Sequence, residues 1–289
     1  TTLDGLPLEL LSSSIVVFLN VDDRLRLGAC CRSLLAAVAA SDLHLPPDTC
    51  ISVDRSTPKE FSVRVGRKSL QVDSLDGLLH LRGRLGKKIF AEGLSIGCAS
   101  SDPLIDDYLA DFFENCEVKS ISIHLQGSPS EKLRVFLLHN ADKKFDMRLE
   151  GTVLDEELLR SFKNPAEIGF KNPPSSISSS LFLFLIEHGH TLLDAPVILT
   201  SSEEMHRVVQ HFATLPMYCP GQSTDFAIEC GPFDEFLEQM TTSGDWSKDE
   251  FDDNFVTWAY KTVRVRQLSC TVQSANPSNV RRIEVFKVG

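Results

Sequence analysis

Apolar and polar residues follow two different spacings along the chain, one near its N-terminus and one beyond residue 89. In the first 45 residues, apolar side chains recur every three or four positions, which is the spacing of one face of a helix. Beyond residue 89, short runs in which apolar and polar residues alternate precede longer runs with helical spacing. The pattern predicts a small helical unit followed by a region of alternating strands and helices.

Three short helices are predicted within residues 1–45. Pro7 suits the first position of a helix, Asp22 is expected to cap the second, and the third is expected to end near Ser41. The apolar positions are Leu10, Leu11, Ile15, Phe18 and Leu19 in the first helix, Leu25 and Leu27 in the second, and Leu34, Leu35 and Val38 in the third. Helices of this length bury too little surface to be stable alone, so they are expected to pack on another surface.

The region beyond residue 89 holds seven predicted strands and six predicted helices. The strands are 94–96, 121–125, 145–149, 168–170, 195–199, 226–228 and 263–265, and the helices are 103–114, 130–140, 155–162, 176–188, 202–214 and 233–240. Asp102, Ser128 and Ser201 are placed to cap three of these helices. Residues 46–88 are expected to form a linking segment, with strand-like alternation at 51–53 and 61–65.

The distance between successive strands narrows the choice of fold. The centres of the first six strands lie 22 to 31 residues apart, the length of one strand plus one helix, which is typical of leucine-rich repeats. Segments 91–96 and 118–123 match the strand half of such a repeat, although a doubly wound α/β sheet produces the same alternation. Because no glycine-rich nucleotide-binding motif follows a predicted strand, we favour an α/β fold. It has helical residues 1–45 and an irregular, leucine-rich-repeat-like solenoid over 46–289.

Composition and charge exclude several classes of protein. The chain has 289 residues, of which 42% are apolar and 24% charged, so it is too hydrophobic for a disordered protein. The net charge of −11 argues against a nucleic-acid binder, and no apolar run is long enough to span a membrane. Its eight cysteines are scattered, without a Cys-x-x-Cys pair. They indicate a reduced, intracellular protein whose cysteines are mostly core residues.

Known catalytic and metal-binding motifs are missing from the sequence. The run 83–88 resembles a phosphate-binding loop but has Leu81 and Lys88 where that motif requires glycine and serine or threonine. His188 and His190 form the closest histidine pair, and a helix end with a turn glycine is the expected reading of that pair. The sequence therefore predicts neither an enzyme nor a bound cofactor or metal.

Charge is unevenly distributed in the C-terminal part. Residues 225–255 contain ten carboxylates against one lysine, and residues 261–289 contain six cations against one carboxylate. The acidic stretch could steer a basic partner, or the two stretches could neutralise each other within the chain. We favour the second interpretation.

The N-terminal sequence resembles the F-box, a motif of about 40 residues. The matching residues, in order, are Leu6-Pro7-Leu8-Glu9-Leu10-Leu11, Ile15, Phe18-Leu19, Asp23-Arg24-Leu25-Arg26-Leu27 and Cys31-Arg32-Ser33-Leu34. The run Asp23 to Leu27 is similar to that of nematode F-box proteins. Two positions depart from the family pattern: Ser14 stands where an aliphatic residue is usual, and Leu34 replaces the usual closing aromatic residue. The resemblance covers the first 40 or so residues of the chain.

The resemblance implies a function. F-box proteins are substrate receptors of SCF-type cullin–RING ubiquitin ligases, and their F-box docks a Skp-family adaptor that connects it to a cullin. Carried over position by position, the adaptor-binding residues are Leu6, Pro7, Leu10, Ile15, Leu19, Leu25 and Leu27. The rest of the chain is then expected to bind an unknown target protein in the cytoplasm or nucleus, with no nucleic acid or membrane as partner.

Two other functions remain open at this point. A repeat-type interaction scaffold would use the N-terminal helices only as a structural cap, because the first repeat of a solenoid needs a cover. An α/β enzyme would require a deep pocket with converging titratable groups. Exposure of Leu6, Pro7 and Leu19 favours the ligase receptor, and their burial against the repeat favours the scaffold.

Overall fold

The computed structural model separates the chain into two compact units. It describes residues 6–57, 60–99, 102–151, 155–172, 177–193, 195, 197–199, 201–214, 223–229, 235, 238–239, 242, 246–252, 255–260, 267–273 and 280–288. Unit 1 comprises the described residues of 1–147 together with 162–164, and unit 2 comprises those of 148–161 and 165–289.

The N-terminal part of unit 1 consists of three short helices, as predicted. They are α1 Leu8–Ser14, α2 Val21–Cys30 and α3 Arg32–Ala40, with a 3₁₀ turn at Val16–Phe18 between α1 and α2. The expected cap of α2 is wrong: Asn20, not Asp22, precedes the helix, and the Asn20 side chain accepts a hydrogen bond from the Asp23 amide at 3.0 Å. Asp22 lies inside the first turn, where its carboxylate faces the positive end of the helix.

The first helix is shorter than predicted. It ends at Ser14, and the hydroxyl groups of Ser12 and Ser13 donate to the Glu9 carbonyl, so they compete for a main-chain acceptor. The core of the three helices consists of Leu11, Val16, Leu34, Ala37 and Val38. Phe18, expected on the inner face, is 83% exposed because the chain has left the helix before reaching it.

The remainder of unit 1 alternates strands and helices. The elements are β1 Leu43–His44, β2 Cys50–Thr57, β3 Glu60–Val65, β4 Lys68–Val72, α4 Leu75–Leu85, β5 Ile89–Phe90, β6 Gly93–Ala99, α5 Pro103–Phe113, β7 Cys116–Glu117, β8 Ser120–Gln126, α6 Glu131–His139 and β9 Lys144–Glu150, of which 144–147 belong to unit 1. Residues 46–88 thus contribute three strands and a helix. Helix α4 was not predicted.

Parallel strands form the centre of unit 1. Strand β6 pairs in parallel with β2 on one side and with β8 on the other, and β3 and β4 extend the sheet in antiparallel fashion beyond β2. Leu94 lies opposite Ile121 and Ile96 opposite Ile123, and all four side chains are buried. The predicted strands at 94–96 and 121–125 are therefore confirmed.

A second, shorter parallel ladder runs beside the first. Its members β1, β5 and β7 each precede a long strand, and Ile89 pairs with Cys116 across an offset of 27 residues, as Gly93 does with Ser120. Main-chain hydrogen bonds continue between the two ladders: the Ala91 amide donates to the Glu117 carbonyl at 3.1 Å. The connection from β5 to β6 and the connection from β7 to β8 therefore have the same strand pairing on both sides.

Unit 2 combines two arrangements of strands. Its elements are α7 Glu156–Ser161, β10 Glu167–Lys171, α8 Ser179–Glu187, β11 Thr191–Leu193, β12 Ile198–Leu199, α9 Ser202–Thr214, β13 Ser223–Glu229, β14 Trp246–Asp252, β15 Phe255–Tyr260, β16 Gln267–Gln273 and β17 Val280–Val288. Strands β10 and β11 are parallel, whereas β13 to β17 form an antiparallel sheet in the order β13-β17-β16-β15-β14, with β12 parallel at its edge. The predicted strand 263–265 and most of the predicted helix 233–240 lie outside the described residues.

Two of the three predicted helix caps are confirmed. The side chains of Asp102 and Ser201 accept hydrogen bonds from main-chain amides of α5 and α9. Helix α6 is capped by Ser130 and not by Ser128, because the Asp106 carboxylate holds the Ser130 amide at 2.9 Å and fixes the start of the helix there. The mixed α/β class is confirmed, and the leucine-rich-repeat solenoid stays a prediction.

The expectation of mostly buried cysteines needs correction. Cys116 is buried, but Cys30 and Cys50 are exposed and Cys31 is half-buried; all four are free thiols. Cys30 and Cys31 lie at the junction of α2 and α3, and Cys50 is the first residue of β2, so the exposure of each depends on its position at the end of an element.

Candidate functional site

The first helix presents apolar side chains to solvent. Pro7, Leu8 and Leu10 are exposed, with 42% of Leu8 and 48% of Leu10 accessible, and Leu11 is the one buried residue of α1. A helix of seven residues is unstable in water without packing of an apolar face. Exposed apolar side chains at the start of a short helix are candidates for a protein-binding site, although Leu8 and Leu10 lie two positions apart and do not share one helix face.

The seven residues predicted to bind an adaptor lie in the three-helix part of unit 1, with different exposures. Pro7 and Leu10 are exposed, whereas the other five, Leu6, Ile15, Leu19, Leu25 and Leu27, are half-buried. Of the half-buried residues, Leu6, Ile15 and Leu27 pack against the core of the three helices. These three residues therefore contribute to the packing of the helices, and only their exposed parts are available to a partner.

Helix α2 buries a face that the apolar pattern does not mark. Its buried residues are Val21, Arg24 and Gly28, spaced by three and four positions. A Cβ atom at Gly28 would lie 3.2 Å from Leu35, so the glycine permits close packing of α2 on α3. Because this face turns inward, Leu25 and Leu27 lie at its borders and keep part of their surface accessible.

Two exposed apolar residues were not selected from the sequence. Leu8 lies next to Pro7 at the start of α1, and Phe18 ends the 3₁₀ turn. The run Ser12–Ser14 is the signal that would have found Phe18, because three consecutive serines followed by β-branched residues disfavour continuation of a helix. Ending the helix there removes Phe18 from the inner face.

Arg24 joins the three helices to the alternating part of unit 1. Its side chain is fully buried, and its guanidinium donates to the Ser41 hydroxyl at 2.9 Å, to the Leu85 carbonyl at 3.0 Å and to the Asp42 carbonyl. Burial lowers the pKa of Arg24 to about 10, while the nearby Asp42 carboxylate acts in the opposite direction. The group is therefore charged at neutral pH, and carbonyl oxygens compensate for its lost hydration.

Two further contacts reinforce this junction. The Arg84 guanidinium, on α4, donates to the Leu25 carbonyl of α2 at 2.7 Å. Lys68, at the start of β4, forms an ion pair of 2.7 Å with Asp22. Helices α2 and α3 also pack on α4, so two of the three N-terminal helices are in contact with the alternating part of unit 1.

The histidine pair occupies a helix end, as expected. His188 follows α8 and stacks on Phe184 at 4.0 Å, and Gly189 has a φ of +83°. His190 is buried, its Nδ1 accepts a hydrogen bond from the Ala166 amide at 3.1 Å, and burial lowers its pKa to about 4. In the part of the chain that the structure describes, no cluster of three or more His, Cys, Asp or Glu side chains is arranged to hold a metal.

The oppositely charged C-terminal stretches pair within one sheet. Strand β13, from the acidic stretch, is antiparallel to β17, from the basic stretch, and Ile228 and Ala227 lie opposite Arg281 and Arg282. Trp246 and Trp258 lie in the neighbouring strands β14 and β15. The two stretches are therefore neighbours in the fold, but Asp225 lies opposite Glu284, so neutralisation of one stretch by the other stays a prediction.

Comparisons with other proteins add no assignment. The chain was compared with models of known protein families, with curated proteins and with solved structures, and no match was found. Among the described helices, none combines the length and the apolar character needed to cross a bilayer.

Proposed function

We propose that the chain is the substrate-recognition subunit of an SCF-type cullin–RING ubiquitin ligase. The N-terminal helices dock a Skp-family adaptor, which links the chain to a cullin, and the α/β region binds a target protein. The chain binds and positions the target protein, and it needs no cofactor for this role. Ubiquitin transfer occurs on other subunits of the ligase. This role belongs to the cytoplasm or the nucleus.

The observation that carries the proposal is the outward apolar surface of α1. Pro7, Leu8 and Leu10 belong to the first run of the F-box resemblance, Leu6 to Leu11, and all three are exposed to solvent. Covering the exposed halves of the two leucines contributes roughly 1 kcal/mol each to binding. The half-buried Leu19 and Leu25 enlarge the apolar area that a partner would cover.

Repeat-like order in unit 1 supports a solenoid for target binding. The parallel strands β2, β6 and β8 lie side by side in the sheet in the same order as they occur along the chain, and α4 packs on α5 and α5 on α6. A doubly wound sheet instead reverses its strand order at a switch point. The antiparallel hairpin of β3 and β4, and the antiparallel sheet of unit 2, make the proposed solenoid an irregular one.

A scaffold with a helical cap is the second candidate. The observation in its favour is the packing of α2 and α3 on α4, together with the burial of Arg24 between them. A cap of a solenoid would cover the first repeat in this way. A cap has no use for an apolar outer surface on α1, so we favour the receptor.

Adaptor binding separates the two candidates. The purified chain and its variant Leu8→Ser/Leu10→Ser are tested for capture by an immobilised Skp-family adaptor, with Leu104→Ser as control because Leu104 is 56% exposed on α5. We expect capture of the wild type and of the control, and a loss of at least tenfold in affinity for the double variant. If the wild-type chain is folded and does not bind the adaptor, the receptor proposal is contradicted and the scaffold is favoured.

A further inference from the structure

A groove opens beside Phe18 in unit 1. It has a volume of about 600 Å³ and lies between residues 17–23, which include the start of α2, the 43–49 segment and the turn from β3 to β4. Leu43 and Val65 form a buried apolar floor, and the exposed ring of Phe18 stands at the rim. The groove does not include the exposed leucines of α1.

The charges that line this groove are engaged unequally. Asp22 is paired with Lys68 at 2.7 Å, and Asp23 accepts a hydrogen bond from the Asn20 side chain at 2.7 Å. The guanidinium groups of Arg26 and Arg67 are exposed and have no hydrogen-bond or ion-pair partner among the described residues. Asp22 is neutralised by Lys68, whereas Asp23 keeps its charge, since its Asn20 partner is neutral. The lining therefore carries three cations against two carboxylates, and Arg26 and Arg67 are the two cations without a partner in the described part of the chain.

A second groove continues the first. It has a volume of about 490 Å³, shares Leu45 and Pro46 with the first groove, and runs toward Phe90 and Val118. Its carboxylates, from Glu92 and Glu117, form ion pairs with Lys119 and Lys88. This continuation adds apolar surface with balanced charge, so the unbalanced positive charge lies at the Phe18 end.

From this arrangement we propose that the groove binds an acidic, extended segment of a partner protein that carries one large apolar side chain. The apolar side chain lies on the floor beside Phe18, and the carboxylates of the segment pair with Arg26 and Arg67. The local excess of positive charge contrasts with the net charge of −11 of the whole chain, so an acidic segment is attracted to this groove by its own lining and not by the overall charge. The proposal does not depend on the ligase role, but the two surfaces share Leu19, which lines this groove and is one of the proposed adaptor-binding residues.

Fluorescence anisotropy with a labelled peptide tests the proposal. The probe is a peptide of about nine residues, acidic throughout except for one central phenylalanine, titrated with the full chain. We expect saturable binding that Arg26→Gln/Arg67→Gln weakens roughly tenfold, since two ion pairs at a partly desolvated rim are lost. The matched control is Arg32→Gln, which removes an exposed arginine at the start of α3 and should leave affinity unchanged.

Three comparisons can overturn the proposal. Equal binding of a peptide with glutamine and asparagine in place of its acids, or with serine in place of its phenylalanine, would remove the charge or the apolar argument. Tighter binding of a labelled single-stranded oligonucleotide would make the occupant a polyanion and not a protein segment. Absence of peptide binding at millimolar concentrations of the chain would also contradict the proposal. Because Leu8→Ser/Leu10→Ser lies outside the groove, that variant should still bind the peptide whatever its effect on the adaptor.

Discussion

Arg24 donates a hydrogen bond to the carbonyl of Leu85, the last residue of α4, across 61 positions of sequence. The contact places a buried cation at the C-terminal end of a helix, where the partial negative charge of the helix dipole favours it. It joins the helices that resemble an F-box to the first strand–helix elements. The orientation of α2 on α4 therefore depends on a polar contact as well as on apolar packing.

Replacing Arg24 by alanine should lower the free energy of unfolding by about 3 kcal/mol. The change opens a cavity and leaves the Ser41 hydroxyl and the Leu85 and Asp42 carbonyls without their donor. Arg24→Met should cost about half as much, because methionine refills the volume and removes the desolvated charge. Urea denaturation of the two variants measures the difference in the free energy of unfolding. Equal losses of stability would contradict the prediction that methionine restores packing and removes the cost of burying the charge.

Gly86→Ala and Gly83→Ala should have opposite effects on stability. Gly86 has a φ of +139°, and a Cβ atom there would lie 2.5 Å from the Ser41 carbonyl oxygen. Gly83 lies inside α4 with nothing within 4 Å of such an atom. We expect Gly86→Ala to destabilise by about 2 kcal/mol and Gly83→Ala to stabilise by about 0.5–1 kcal/mol. Thermal unfolding of both variants tests the pair, and a neutral Gly86→Ala would exclude the close approach.

His190 should make stability depend on pH. Its pKa is about 4 in the folded protein against 6.5 for an ordinary histidine, so the unfolded chain binds the extra proton first as the pH falls. Stability is therefore fully present above pH 6.5 and is lost between pH 6.5 and 4, by up to about 3 kcal/mol.

Denaturation curves at several pH values, compared with those of His190→Gln, isolate this contribution from that of the carboxylates. His139→Gln is the matched control, because His139 is exposed at the end of α6. The control should keep the loss of stability below pH 6.5, and His190→Gln should show less of it. An identical pH profile for all three proteins would refute the assignment to His190.

Exposed cysteines should react with a thiol reagent faster than the buried one. Burial raises the pKa of the Cys116 thiol to about 12, whereas Cys30 and Cys50 are exposed. Because the thiolate is the reactive form, a maleimide should modify Cys30 and Cys50 in the native protein well before Cys116. Mass spectrometry of peptides after timed labelling measures the order, and early labelling of Cys116 would show that β7 opens easily.

Local sequence pattern was sufficient where an element is both regular and half-buried. The alternating runs at 94–96 and 121–125 became the paired strands β6 and β8, and the capped runs after Asp102 and Ser201 became α5 and α9. In these segments the periodicity, the cap and the burial all agree. Helix α4 was missed although Leu78, Leu81 and Leu85 have helical spacing, because Gly77 and Gly83 and its arginines obscured the pattern.

The candidate site was less predictable, because exposure depends on tertiary packing. The adaptor-binding role of the N-terminal helices stays a prediction. Spacing alone placed Phe18 on the inner face of the first helix, where it is in fact 83% exposed, and did not select the exposed Leu8. Arg24 could not be recognised as buried, because its partners at Leu85 and Asp42 are brought together only by the fold. The antiparallel sheet of unit 2 likewise depends on long-range pairing, such as that of β13 with β17.

The paired short and long ladders of unit 1 determine where this chain tolerates extra residues. Between them, the connections at 91–92 and 118–119 are fixed by main-chain hydrogen bonds, so an added residue there would shift every following side chain of β6 or β8 to the opposite face. The turn at 127–129 leaves the far end of β8, and it lies outside the paired residues of both ladders. Sequence length can therefore change at 127–129 without disturbing the register, which makes this turn the place to insert a reporter peptide or an affinity tag.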